Sequence, residues 1–214
     1  MAYDFTIAIE LNNKIAIEIR KDYRIMEIMK SIQDRCSTRK FEQQQIKEEE
    51  LKLVLEAARM APSGMNERAS RIFVIQNPDI MQQLNQVTAN AIRNGNAEGI
   101  SVEAAKSMKM NDYSISYHAP TFLLITHVKD SYNAFTNAGC LLENAMLQAN
   151  ELGLGSCWIN IVRRTQNDPE VKEFLKKIGV NDDEIVTGGL AIGYPAAPFR
   201  KNQKTDGNEI IYIC

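Results

Sequence analysis

The sequence predicts an α+β fold, and three observations carry that expectation. Residues 5–20 alternate apolar and polar positions, several later stretches repeat apolar residues at helical spacing, and Thr121 to Val128 is an unbroken apolar run after Pro120. Alternation marks half-buried strands, and helical spacing marks amphipathic helices. A short unbroken run after a proline reads as a central strand buried on both faces.

Along the chain, Phe5, Ile7, Ile9 and Leu11 share one parity, Asn12-Asn13 makes a turn, and Ile15, Ile17 and Ile19 resume the pattern as a β-hairpin. Ile25, Ile28, Met29 and Ile32 then predict a helix from about Arg24 to near Arg35. A second helix covers roughly Lys47 to Met60, with Glu48, Glu49 and Glu50 at its positive end and Leu51, Val54, Leu55 and Ala58 as its stripe. Ile72 to Gln76 reads as a strand, and Asn77-Pro78 caps and opens the next helix, which Asn94-Gly95 closes. The polar stretch Asn94 to Ser116 reads as a loop or lid.

Ser131 to Leu152 is the longest helical pattern, about 33 Å at ~1.5 Å per residue. Its stripe runs from Phe135 through Ala138, Leu141, Leu142, Ala145 and Met146 to Leu152, wide enough for burial on more than one side, and Gly153 follows as a C′ residue. A strand at Ser156 to Ile161, a helix from Asp168-Pro169 to Gly179, a strand at Ile185 to Tyr194 and a C-terminal strand at Ile210 to Ile213 complete the expected order.

The chain has 214 residues, 44% of them hydrophobic and 24% charged, as expected of one globular domain. A net charge of −2 without a long basic run lacks the electrostatic footprint of a nucleic-acid binder. No apolar run approaches the ~20 residues of a membrane span. The N-terminus lacks the charged, apolar and small-residue regions of a secretory signal, so the expected location is the cytoplasm. Cys36, Cys140, Cys157 and Cys214 form no CxxC pair, which argues against a disulfide framework and a zinc site.

Familiar catalytic patterns are missing: His118 and His127 stand in no metal-ligand spacing, and no GxSxG elbow accompanies them. Gly153-Leu154-Gly155 lies between a helix and a strand, the reverse of a dinucleotide-binding turn, and Gly188-Gly189 inside a strand reads as close packing. Two segments stand out. In Arg35-Cys36-Ser37-Thr38-Arg39, two guanidinium groups flank two hydroxyls just after a helix, which suits a phosphate or a carbonyl-rich heterocycle, or else a solvated basic helix end. In Ala61-Pro62-Ser63-Gly64-Met65-Asn66, a proline-containing turn carries a hydroxyl and an amide that can meet a flavin edge, or else simply ends a helix.

Together with Ala119-Pro120 before an apolar strand, Gly153 to Ile159, and Ile192-Gly193-Tyr194-Pro195, these segments occur in the order of the nitroreductase-like flavoenzymes, which the chain resembles over about residues 27–213. The resemblance implies a central, mainly antiparallel sheet flanked by helices in an intertwined homodimer, with residues 1–26 as an extension and 27–214 as the flavin-binding domain. It implies two sites for flavin mononucleotide (FMN), each built from both subunits. Arg35, Cys36, Ser37 and Arg39 would hold the cofactor, and the turn of Pro62, Ser63, Gly64, Met65 and Asn66 would approach it, Ser63 and Asn66 from the other subunit. Trp158, Ile159, Asn160 and Ile161 would lie beside the flavin ring, with Arg200 or Lys204 as a phosphate contact. The flavin carries the chemistry, so no side chain is expected to be catalytic in its own right. The implied reaction moves a hydride from NADH or NADPH through flavin N5 to a nitroaromatic, quinone or other conjugated electrophile. The alternatives on the same scaffold are reductive dehalogenation, flavin breakdown, or a flavin sensor without turnover. The chain departs from the family pattern at Arg68-Ala69, where many members have Gln-Pro, and at Asn160-Ile161, where glycine or an acidic residue is common.

Overall fold

A computed structural model describes residues 28–101, 113–198 and 208–213. The expected hairpin, the middle of the polar stretch, Arg200 and Lys204 lie outside them. The chain divides into two units, residues 1–35 with 201–214, and residues 36–200.

In the first unit, residues 28–34 are helical (α1), supported by a Lys30–Asp34 ion pair of 2.7 Å, and the Arg35 N–H donates to the Ser31 carbonyl at 3.0 Å. Residues 208–213 are not a strand. A strand needs a neighbour for its backbone groups. Ile210, Ile211, Tyr212 and Ile213 are instead largely exposed, the last at 95%.

The second unit runs α2 (Glu48–Arg59), β1 (Arg71–Ile75), α3 (Pro78–Arg93), β2 (Thr121–Val128), α4 (Ala134–Glu151), β3 (Gly155–Ile159), α5 (Ile161–Thr165), α6 (Pro169–Lys177) and β4 (Glu184–Gly193). The strands form an antiparallel sheet in the order β1-β2-β4-β3. The expected α+β class, with an antiparallel sheet flanked by helices, is therefore observed.

β2 is buried along nearly its whole length because both faces are covered. Phe122 and Leu124 join the core under α3 and α6, while Leu123 and Ile125 join the core under α2 and α4. Alternate residues thus serve opposite faces, and no polar position is left for the alternation to show. β4 is similarly enclosed, and there the two glycines are explained by packing: a Cβ on Gly188 would lie 3.0 Å from Leu142 Cδ1, and one on Gly189 would overlap Phe122 Cζ. Arg71 on β1 reaches across β2 to Glu184 on β4 at 2.5 Å, a carboxylate whose side chain is only 4% exposed.

Helix ends follow the expected chemistry. The Asn77 side chain accepts from the Asp79 and Ile80 amides, and the Asp168 side chain accepts from those of Glu170 and Val171, each ahead of a proline at the first helical position. Gly153 has φ 73°, and the Leu154 amide donates to the Ala149 carbonyl at 2.8 Å, closing α4 in a Schellman motif.

Two boundaries differ from the sequence reading. α4 starts at Ala134 rather than Ser131, because the Ser131 hydroxyl bonds Glu67 and the Asn133 side chain lies against Gly64. Ile161 belongs to the short helix α5 and not to β3, because Asn160 already turns out of extended geometry at φ −107°, ψ −4°. A five-residue helix is too short to display a period, and its apolar Ile161 and Val162 prolonged the strand pattern.

Gly189→Ala tests the close packing of β2 on β4. Overpacking of this kind costs about 1–3 kcal/mol. The urea midpoint is expected to fall with an unchanged denaturant slope, and an unchanged midpoint would show that Phe122 has room to move.

Candidate functional site

The Cys36–Phe41 segment lies as an added strip along the sheet. Ser37 forms a parallel bridge with Ser156 on β3, the Thr38 amide donates to the Ser156 carbonyl at 2.8 Å, and Phe41 forms an antiparallel bridge with Pro195 beyond β4. The Glu42 amide donates to the Tyr194 carbonyl at 2.9 Å, and the Ala196 amide donates to the Lys40 carbonyl at 3.0 Å. Such an approach requires neighbours without side chains. A Cβ on Gly155 would lie 2.6 Å from Thr38 Cγ2, and one on Gly193 would lie 3.3 Å from Phe41 Cδ1 and 2.8 Å from Pro120 Cδ.

With its backbone fixed on both sides, the strip turns Phe41 into the core and leaves Ser37 and Arg39 exposed. The Arg39 guanidinium stands 5.8 Å from the centre of the Tyr117 ring. A hydrogen bond with Tyr117 and the nearby Cys157 thiol hold its pKa above the ordinary arginine value, against a smaller opposing effect of burial. Arg39 is thus a permanent cation held close to an aromatic face. Tyr194 extends the same framework, because its hydroxyl donates to the Glu50 carboxylate at 2.5 Å and is thereby held above its usual pKa.

Trp158 is 37% exposed, with its indole N–H donating to Asn160 Oδ1 at 2.9 Å and its ring 3.7 Å from where a Cβ on Gly139 of α4 would lie. Ser156 and Ile159 belong to the same strand, about 10 Å apart at ~3.3 Å per residue. One edge of the sheet therefore presents the hydroxyl and guanidinium groups of the strip and, farther along β3, Trp158 to Asn160. Arg35 belongs to the first unit, where it follows α1.

Ala61 to Asn66 stands elsewhere. It forms a turn ahead of β1, at the opposite edge of the sheet, with Met65 almost fully exposed at 96%. Met65, Asn66 and Arg68 have φ of 54°, 55° and 46°, a left-handed conformation that costs an ordinary residue about 1–2 kcal/mol. The Arg68 amide donates to Ser63 Oγ at 3.1 Å and the Arg68 Nε–H to Asn66 Oδ1 at 3.0 Å, which orients the Asn66 amide. A cleft of about 750 Å³ adjoins the turn, lined among others by Arg59, Pro62, Ser63, Arg68, Asn137 and Leu141. Within one chain the two sets of predicted residues are far apart. The strip lies level with the start of β2 and the turn is tied to its end, and Thr121 to His127 spans about 20 Å at ~3.3 Å per residue.

The arrangement has relatives. The family model described as "Nitroreductase family" matches residues 32–194. The chain belongs to the nitroreductase family.

A Bacteroides fragilis nitroreductase solved with bound FMN is 30% identical and superimposes with a TM-score of 0.78 over 87% of this chain and 98% of that one. A nitroreductase with bound FMN from Desulfitobacterium hafniense, at 24% identity and a TM-score of 0.75 over 87% of this chain and 98% of that one, shares the fold. Among curated proteins, the FMN reductase [NAD(P)H] of Bacillus subtilis is 22% identical over 79% of this chain and 66% of its own length. An Archaeoglobus fulgidus protein provisionally named NADH dehydrogenase/NAD(P)H nitroreductase is 26% identical over 79% of this chain and 86% of its own length. No helix among the described residues is long and apolar enough to cross a membrane.

Sequence reasoning missed three residues that neighbour the candidate segments: Tyr117 beside Arg39, and the pair Glu67 and Asn137 behind the Ser63 turn. Tyr117 and His118 have positive φ values of 53° and 61° in a tight turn, where no periodicity exists to be read. Asn137 did leave a signal, as an amide beside Ala138 and Leu141 on the buried side of a long helix.

Gly155→Ala checks whether the strip depends on that bare backbone. The added methyl is expected to displace Thr38, speed hydrogen exchange at the 37–39 amides, and lower stability by about 1–3 kcal/mol. Unchanged exchange at 37–39 would contradict the account.

Proposed function

We propose that this nitroreductase-family chain is an FMN-dependent NAD(P)H oxidoreductase that works as an intertwined homodimer, each flavin lying across two chains. The observation that carries this reading is the placement of the two motif groups at diagonal corners of one sheet. One corner holds Ser37 and Arg39, with Trp158–Asn160 farther along the same edge, and the other holds Ser63 and Asn66. Neither corner alone surrounds a cofactor, and a second copy in two-fold symmetry brings one of each together twice. The exposed Ile210–Ile213 segment and the edge of β1, unpaired among the described residues, are the surfaces such a dimer would cover.

The residues present fit FMN. Arg39, with Arg35 just before the strip, supplies planar donors suited to phosphate and to the carbonyl edge of the flavin. Ser37 adds a hydroxyl for the ribityl chain. The turn of Pro62, Ser63, Gly64, Met65 and Asn66 offers an amide oriented by Arg68 to the flavin of the other subunit, with Met65 as its apolar cover. Trp158 to Ile161 flank the ring, Cys36 lines the strip beside it, and Arg200 or Lys204 contributes a further phosphate contact. When bound, the flavin supplies the redox chemistry, accepting a hydride at N5 from NADH or NADPH and passing it to a nitroaromatic, quinone or other conjugated electrophile. The chain binds, orients and shields; with Asn160 Oδ1 already engaged by the Trp158 indole, acceptor choice rests on shape and stacking more than on an acidic side chain.

Two measurements test this reading. Purified protein is expected to be yellow and to bleach rapidly under anaerobic NADH or NADPH, and a colourless protein that takes up no added FMN would overturn it. Replacing Arg35 or Arg39 by Ala is expected to remove about 1.5–3 kcal/mol of cofactor binding, roughly ten- to hundredfold in affinity by fluorescence titration.

A further inference from the structure

We infer that buried Asn137 and His127, with Glu67 on their solvent side, form a positioning cluster that sets the Ser63–Asn66 turn in the shape needed to meet the partner subunit's flavin. The inference rests on the proposed FMN function. His127 is fully buried near the end of β2, and Asn137, in the first turn of α4, is 6% exposed. The Asn137 side chain uses both ends of its amide. Its Oδ1 accepts from the Gly64 amide at 2.9 Å, and its Nδ2–H₂ donates to Glu67 Oε1 at 2.6 Å and lies 3.3 Å from His127 Nε2. His127 Nδ1 lies 3.2 Å from the Val128 carbonyl, so a proton placed there leaves Nε2 as the acceptor that Asn137 requires. Glu67 Oε1 is 3.6 Å from that same Nε2 and also accepts from the Ser131 hydroxyl at 3.0 Å.

These contacts bracket the unfavourable part of the backbone. Gly64 and Glu67 are held, and between them Met65 and Asn66 take left-handed φ values, as does Arg68 just after. Gly64 also packs against the Asn133 side chain, where any Cβ would overlap it. Sparsely populated conformations persist only where the surroundings over-determine them. Here the surroundings are side-chain hydrogen bonds. The turn ends in Arg68-Ala69, so no proline stiffens it, and the side chains from α4 and β2 hold it instead. Asn137, Glu67 and His127 are positioning residues, since each acts through the turn and none is assigned a contact with flavin.

The test pairs hydrogen exchange with FMN titration in the full chain, for Asn137→Leu and, as a milder second change on the half-exposed side of the cluster, Glu67→Ala. Both are expected to speed exchange at residues 64–68 while β2, β4 and the middle of α4 stay protected, and to weaken FMN at least about tenfold. Glu67→Gln, which keeps an acceptor for Asn137, is expected to restore most of the affinity. If Asn137→Leu loses protection everywhere, the Glu67 pair decides. Unchanged exchange at 64–68, or a loosened turn with unchanged FMN affinity, would overturn the inference. Wild-type protein that binds no FMN would instead overturn the proposed function, and the exchange arm would still report whether the cluster sets the turn.

Discussion

A strip of backbone can lie against the start of β3 and the end of β4 only where those strands carry no side chain. Gly155 and Gly193 provide that bare surface, and Thr38 and Phe41 occupy it. Phe41 is buried and Thr38 is bonded to Ser156 at the two ends of the strip, and Ser37 and Arg39 stay exposed between and beside these anchors. Moving either glycine's neighbour by a fraction of an ångström would move the cation as well. Motifs that look separate in the sequence, 35–41, 119–120, 153–159 and 192–195, are therefore one packing solution: Pro120 touches the Gly193 position, Phe41 meets the same place, and Tyr194 ties it to Glu50 on α2.

This explains what the sequence could reveal. β2, buried on both faces, showed as an unbroken apolar run, and Asn77-Pro78 and Asp168-Pro169 announced helix starts because capping is local chemistry. α5 stayed hidden, since five residues cannot display a period of 3.6. The late start of α4 was equally invisible, because Ser131 and Asn133 are engaged by Glu67 and Gly64, residues more than sixty positions away. The expected strand at 210–213 failed for a related reason: apolar residues favour a strand only when an edge is available to pair with them, and that depends on a neighbour that periodicity does not encode.

The site was legible as a set of residue types in order, and not as a geometry. Arg35 to Phe41 considered alone was equally a solvated helix end. What distinguishes the strip is the fixed backbone beneath it and the aromatic face of Tyr117 beside Arg39. The diagonal separation of the strip from the Ser63 turn could not be read from spacing either, because it follows from the strand order β1-β2-β4-β3, which puts β1, after the turn, and β3, beside the strip, at opposite edges. That separation is why the proposed flavin site is assigned to two chains and not to one.

The polar residues inside the α2–α4 side of the molecule fit the same logic. A buried amide and a buried imidazole lower the stability of a core unless every bond is satisfied, so a helix built for packing alone would carry an aliphatic residue at position 137. Asn137 instead spends both ends of its amide on a turn with three left-handed residues. Local rules are broken twice within a few ångströms, once in the core and once in the backbone, and each violation supports the other. Such paired violations belong where a shape is being held for a ligand, since neither would persist if stability alone decided the sequence.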